Sequence, residues 1–226
     1  MSVPIELSGV IKDYGDGGGS HRVLDGVSVR FAPGEFVAIV GRSGSGKSTL
    51  LNLLGGLDIP TAGRVLFGGE DLAALPEAGR ARIRRERIGF VFQDFNLIPT
   101  LRVVENLLLP LELNGLPRAR AMARCAELLE RVGLGSMAAR FPESLSGGEQ
   151  QRLAVIRAVA HGPDVVIADE PTGNLDLDTA QEVLDLLQQS CGEAGRTLIM
   201  ATHSPEVIGR ASRVLRLARG ALAEER

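Results

Sequence analysis

Apolar residues fall into two patterns along this chain, short unbroken runs and longer helical stripes, and their alternation predicts an α/β fold. The runs at 36–40 (FVAIV), 88–92 (IGFVF), 165–168 (VVIA) and 197–202 (TLIMAT) have the length and β-branched content of strands buried on both faces. Such strands belong in a parallel sheet. Residues 3–12 and 23–31 also read as strands, the second with Val23, Val27, Val29 and Phe31 in alternation, and the glycine-rich stretch 15–20 between them reads as a loop. A turn at 60–63 leads into a strand at 64–68, and 214–217 reads as the last strand. Helical spacing appears in Leu50, Leu51, Leu53, Leu54 and Leu57, loosened by Gly55 and Gly56, and again from Ser146 through Leu153, Val155, Ile156 and Val159. Residues 103–113 and 119–132 are helical with no strand between them. They predict a helical insert.

The polar residues that end these runs carry the chemistry. After 36–40 comes GRSGSGKS at 41–48, which fills the GxxxxGK[ST] pattern between a predicted strand and a predicted helix. Its glycines let backbone N–H groups converge on a phosphate chain, and the helix end adds its dipole. Gly41, Ser43, Gly44, Ser45, Gly46, Lys47, Ser48 and Thr49 are therefore the expected phosphate-binding residues, with Lys47 reaching the β- and γ-phosphates and Ser48 ligating Mg2+. The run 165–168 ends in Asp169 and Glu170, adjacent carboxylates that point in different directions at a strand end and so serve different tasks. Asp169 suits the Mg2+ and Glu170 an attacking water. Gln93 and His203 each follow another run, and in parallel sheets ligands bind beyond the carboxyl ends of strands.

Two further stretches read both ways. Ser146, Gly147 and Gly148 open a helix as a second anion-ready N-terminus, though Ser-Gly-Gly is also an ordinary cap. Tyr14, the one tyrosine, is either a strand-end aromatic or a flat surface for a base. The arginines at 80, 82, 84, 85 and 87 are interrupted by Glu86 and lack interleaved aromatics, so they read as a solvated helix face.

Composition adds exclusions. The 226 residues suit one large domain, and a net charge of −3 gives no argument for a nucleic-acid partner. No stretch approaches the roughly 18 apolar residues of a membrane span, and the first residues lack a signal-peptide pattern, so a cytosolic chain is expected. Cys125 and Cys191 are too few and too far apart for a metal knuckle or redox pair. Lys12 and Lys47 are the only lysines, and one of them sits in the phosphate loop.

Taken in order, the phosphate loop at 41–48, Gln93, LSGGEQQR at 145–152, VVIADEPTGNLD at 165–176 and His203 resemble the ATP-binding subunit of ABC transporters from end to end. LNLLGGLDIPTAG and IGFVFQDFNLIPTLRVVENLLLPL look like the branch serving lipoprotein release, macrolide-type export and cell division (LolD, MacB and FtsE types). The resemblance implies a P-loop NTPase core with an antiparallel β portion, at 1–93 and 160–226, and an inserted helical subdomain at about 94–159. It implies an ATPase with ATP and Mg2+ as cofactors, working as a head-to-tail homodimer in which the phosphate loop of one copy and Ser146, Gly147 and Gly148 of the other hold each nucleotide. By the same resemblance Tyr14 stacks on adenine, Gln93 senses Mg2+ and water, Asp176 communicates across the dimer and His203 contacts the γ-phosphate.

A separate integral membrane protein is the implied partner, docking near Phe95, Leu97, Ile98 and Leu101 if those apolar residues are not simply core, with the chain peripheral at the inner face of the membrane. The alternative is a cell-division-type scaffold whose ATP-driven dimerisation signals rather than transports. One departure is Ser204, where the branch leads one to expect an acidic residue after the histidine.

Overall fold

The unbroken apolar runs pair with one another as the pattern requires. In the computed structural model, which describes residues 3–16 and 19–225, β3 (Phe36–Val40), β6 (Ile88–Phe92), β7 (Val165–Asp169), β8 (Thr197–Ala201) and β9 (Arg213–Ala218) form a parallel sheet, edged by antiparallel β10 (Ala221–Glu224) in the order β10-β9-β3-β8-β7-β6. Alternation along each strand divides the core. Val37, Ile39, Val165, Ile167 and Ile199 face one apolar cluster, while Ala38, Val166, Ala168, Leu198 and Met200 face the other.

The first cluster continues through α1 (Lys47–Leu54) into a four-stranded antiparallel sheet of β2 (Gly19–Phe31), β1 (Ile5–Asp16), β4 (Ala62–Phe67) and β5 (Glu70–Asp71). The second is covered by α5 (Gly147–Ala160), α6 (Leu177–Gly192) and α7 (Pro205–Arg210), with Val155, Leu184 and Val207 as anchors. A third cluster joins α3 (Val103–Leu113) and α4 (Arg118–Arg131) to α5 around Leu107, Cys125, Leu129 and Leu153. Among the described residues no helix is long and apolar enough to cross a membrane.

Three local expectations change. The stretch 15–20 is not a loop throughout, because Gly15 pairs with Ser20 and Asp16 with Gly19, so both strands extend into it; residues 17 and 18 lie outside the described residues. Helix α1 ends at Leu54 with Gly55 as its cap, leaving Leu57 beyond the helix, and a Cβ at Gly55 would lie 2.4 Å from Cζ of Phe90. A strand unforeseen in the sequence, β10, follows Arg219 and Gly220, whose φ values of 51° and 78° make the paired left-handed turn of a two-residue hairpin.

The arginines of α2 (Glu77–Arg87) are less free than a solvated face implies. Arg80 and Arg84 both bind Glu77, Arg84 also donates to the Gly56 carbonyl, and Arg87 reaches Asp164 while lying over the Phe67 ring. Both cysteines are core thiols, Cys125 pushed up to about 11 and Cys191 to about 12 by burial.

Helix α5 lies so close to β6 that a Cβ on Gly89 would sit 2.2 Å from the Ala158 carbonyl oxygen. Backbone cannot yield as a side-chain tip does. Gly89→Ala is therefore expected to destabilise the fold by about 2–3 kcal/mol, the overpacking range. Urea unfolding checks this, and an unchanged midpoint would show that the helix shifts freely.

Candidate functional site

Because β3, β6, β7 and β8 run parallel in register, with Phe92 beside Asp169 and Asp169 beside Ala201, their carboxyl ends form one edge. Strand β3 delivers Gly41, where a Cβ would lie 2.5 Å from the Leu217 carbonyl oxygen and 2.7 Å from Oγ of Ser45. Gly44 and Gly46 turn the loop with φ of 74° and 101°, a region that favours glycine. The first intrahelical bond of α1 runs from Leu50 N–H to the Gly46 carbonyl, so the N–H groups of Lys47, Ser48 and Thr49 lie at the open end of the helix. Oγ of Ser45 is buried without a partner among the described residues.

Lys47 is buried, and its Nζ donates to the Gly41 carbonyl at 3.0 Å. The same ammonium lies 2.9 Å from Nε2 of His203 and 3.5 Å from Oε1 of Glu170, while Nε2 of His203 stands 3.1 Å from that carboxylate oxygen. Side chains from three separate runs thus meet at one point. Glu170 holds a left-handed backbone, φ 45°, with its N–H donating to the Ala201 carbonyl at 3.0 Å, and strain of this kind persists only where neighbours impose it. Beside this cluster a polar cleft of about 360 Å³ is lined by Ser43, Ser48, Gln93, Asp94, Asp169 and Glu170, among others. Gln93 is tied sideways, donating from Nε2 to Oδ1 of Asn174 at 3.0 Å, and Asn174 Nδ2 returns a bond to the Gln93 carbonyl at 3.4 Å.

Tyr14, Ser146, Gly147, Gly148 and Asp176 do not line the cleft. Ser146 caps α5 in a capping box, its Oγ accepting from Glu149 N–H and its own N–H donating to the Glu149 carboxylate at 2.7 Å; donation from the Ser146 N–H and hydroxyl holds that carboxyl below its usual range. Gly147 is exposed and has room around it, but a Cβ on Gly148 would meet Cγ2 of Thr179 at 2.4 Å. Gly148 is thus required for the approach of α5 to α6, a demand its sequence does not reveal. Asp176 caps α6, with Oδ1 accepting from Thr179 N–H at 3.0 Å and Oδ2 from its hydroxyl at 2.8 Å, and these bonds hold its carboxyl low.

Comparison with known proteins bears on the same stretches. The family model described as ABC transporter matches residues 24–173, more than half of the chain. The chain belongs to the ABC transporter family. It is an ATP-binding cassette and an ATPase that uses ATP with Mg2+. An uncharacterized ABC transporter ATP-binding protein of Mycobacterium tuberculosis is 50% identical over 96% of this chain and 88% of its own length. The lipoprotein-releasing system ATP-binding protein LolD of Anaeromyxobacter dehalogenans is 47% identical over 98% of this chain and 93% of its own. The macrolide export ATP-binding/permease protein MacB of Syntrophobacter fumaroxidans is 45% identical over 98% of this chain, which spans 31% of it. A solved dimeric ATP-binding cassette in a post-hydrolysis state, bound to ADP and Pi, superposes with a TM-score of 0.90 at 39% identity, covering 98% of both chains.

The donor set of this cassette fits its nucleotide. Open N–H groups, a buried ammonium and the unpartnered Ser45 hydroxyl suit phosphate oxygens, and the oxygens of Ser48, Gln93 and Asp169 on one cleft suit Mg2+, a hard cation that takes few protein ligands. Tyr14 is 40% exposed and fixed at both ends: its hydroxyl donates to Oδ2 of Asp58 at 2.9 Å, and Nζ of Lys12 lies 4.7 Å from the ring centre. Burial alone would raise the Asp58 carboxyl, but bonds from Lys12, Tyr14 and the Ile59 N–H hold it below its usual range. The residue after the histidine, Ser204, donates to the Glu206 carboxylate, so an acid is present two positions later than expected.

Two residues had no assigned role in the sequence reading. Gln151 is buried and donates from Nε2 to the Pro171 carbonyl at 2.6 Å and the Phe92 carbonyl at 3.3 Å, tying α5 to the ends of β6 and β7. Asn174 holds Gln93. Both lie inside quoted motifs, but their partners are far away in sequence.

Proposed function

We propose that the cassette drives a separate membrane protein, with two copies closing head to tail around ATP. The observation that carries this reading is the meeting of Lys47, Glu170 and His203 at the carboxyl ends of three neighbouring strands. Bound ATP supplies the γ-phosphoryl group that passes to water, and Mg2+ neutralises charge on its oxygens. Lys47 and the N–H groups of residues 47–49 hold the phosphates, and Ser48, Asp169 and Gln93 hold the metal. Glu170 orients the water and takes its proton at a carboxylate oxygen, while His203 steadies that carboxylate and donates toward the γ-phosphate. Tyr14, already braced by Asp58, presents its ring to adenine. Ser146, Gly147 and Gly148 complete the site of the second copy, with Asp176 at the seam, which accounts for their absence from this chain's own cleft.

The membrane partner docks in an apolar groove of about 470 Å³ whose walls include Leu57, Phe90, Ile98, Leu109, Pro110 and Leu113. Leu57, Leu109 and Leu113 are 48%, 37% and 55% exposed, so three of the large apolar side chains left open to solvent gather here. Of Phe95, Leu97, Ile98 and Leu101, only Ile98 lines the groove, because Leu97 packs on the helical cluster instead. In this reading the cassette works at the inner face of a membrane.

Leu113→Asp tests the partner reading. ATPase activity of the isolated variant is expected to stay within about twofold of wild type, since the change is remote from the cleft. In the native host, the tagged variant should leave the membrane fraction that retains wild type. Equal retention of both would remove the groove as the docking surface.

A further inference from the structure

Beyond the cleft, the least expected group is the Arg157 guanidinium on α5. It is half-buried, and no carboxylate pairs with it among the described residues. Burial alone pulls its pKa below the ordinary arginine value. Nη1 donates to the Asn96 carbonyl at 2.6 Å and Nη2 to the Phe95 carbonyl at 3.0 Å. Those two residues have φ of 61° and 48°, consecutive left-handed conformations without a glycine. L-residues adopt this conformation only under strain, so the turn needs outside support. The two-pronged fork of Arg157 reaches both of its carbonyls.

The turn follows directly on Gln93 and Asp94, which Asn174 also bonds, while Gln151 holds the Phe92 carbonyl just before them. We infer that Arg157 is a positioning residue for Gln93: by fixing the left-handed turn at Phe95 and Asn96, it sets how Gln93 leaves β6 and reaches into the polar cleft. The inference rests on the role proposed above for Gln93. Because Arg157 also lines the apolar groove beside Ile98 and Pro110, the bond that places Gln93 is within reach of whatever fills that groove.

The test is a double-mutant cycle on the full chain, with kcat for ATP hydrolysis and ATP affinity by calorimetry. Arg157→Ala and Gln93→Ala are each expected to lower kcat about tenfold with affinity within about twofold, and the double variant to be no more than about twofold slower than the slower single one. Arg157→Lys should recover only part of the loss, because an ammonium cannot span both carbonyls. Adding Asn96→Gly to Arg157→Ala should raise kcat at least about threefold, since glycine holds the left-handed turn unaided.

Multiplying losses in the double variant, or wild-type kcat in Arg157→Ala, would overturn the inference and leave the role of Gln93 standing. Wild-type kcat in Gln93→Ala would overturn both. If Arg157→Ala does not fold, Arg157→Lys takes its place in the cycle, and wild-type kcat there would equally reject the inference.

Discussion

Glu170→Gln is expected to bind ATP as tightly as wild type and to hydrolyse it at least about 100-fold more slowly, the scale of a lost general base. The amide keeps the size of the carboxylate and tolerates the same backbone, which the Ala201 carbonyl holds through the residue's N–H whatever the side chain. What changes is the oxygen 3.1 Å from His203 and 3.5 Å from Lys47. An amide there cannot accept a proton from water, and it leaves the ammonium and imidazole without an anion between them. Affinity should survive, because the groups that hold the phosphates lie on the loop, α1 and the end of β8 rather than on β7. Calorimetry with Mg-free ATP and a phosphate-release assay separate the two quantities. Turnover within a few fold of wild type would move the base elsewhere, and a parallel fall in affinity would mean that Glu170 organises the phosphate loop instead.

The parts of this chain that were legible in sequence are those in which one local pattern carries a whole element. β3, β7 and β8 are buried on both faces, so their apolar runs have no solvent side to blur them, and the polar residue ending each run marks the site edge. Gly41, Lys47, Glu170 and His203 could be placed for that reason. The pairing of Gly15 with Ser20 and Asp16 with Gly19 was illegible because glycine weakens any strand signal, although paired backbone needs no side chains to form. β10 was illegible because Ala221 and Leu222 are short on pattern and only Arg219-Gly220 marks the turn.

Contacts between distant segments leave no local trace at all. Gln93 with Asn174, Gln151 with Pro171, and Arg157 with Phe95 and Asn96 join stretches that tertiary folding alone brings together. Gly148 shows the converse case. Its motif suggests an open anion site, yet the nearest constraint on its Cβ is Thr179 from the neighbouring helix.

Ser146→Arg is expected to leave ATP affinity of the single copy within about twofold while abolishing the ATP-dependent dimer. Ser146 is exposed at the start of α5 and lines no part of its own chain's cleft, so a change there has no direct path to Lys47 or Ser48. Its local duty is the capping box with Glu149, and losing that cap costs about 1 kcal/mol, too little to unfold a helix anchored by Leu153, Val155 and Ile156. In the head-to-tail pair proposed above, Ser146 faces the phosphates of the other copy, where an arginine is far larger than serine and would block closure. Closure is linked to nucleotide, since ATP held by both copies favours the dimer by mass action. Glu170→Gln, which retains ATP, is the background in which to read it. Light scattering after size-exclusion chromatography should give a dimer with ATP and a monomer with ADP for Glu170→Gln, and a monomer with both once Ser146→Arg is added. An ATP-dependent dimer in the double variant would place Ser146 outside the interface, and loss of ATP binding by the monomer would mean that α5 serves its own chain's site.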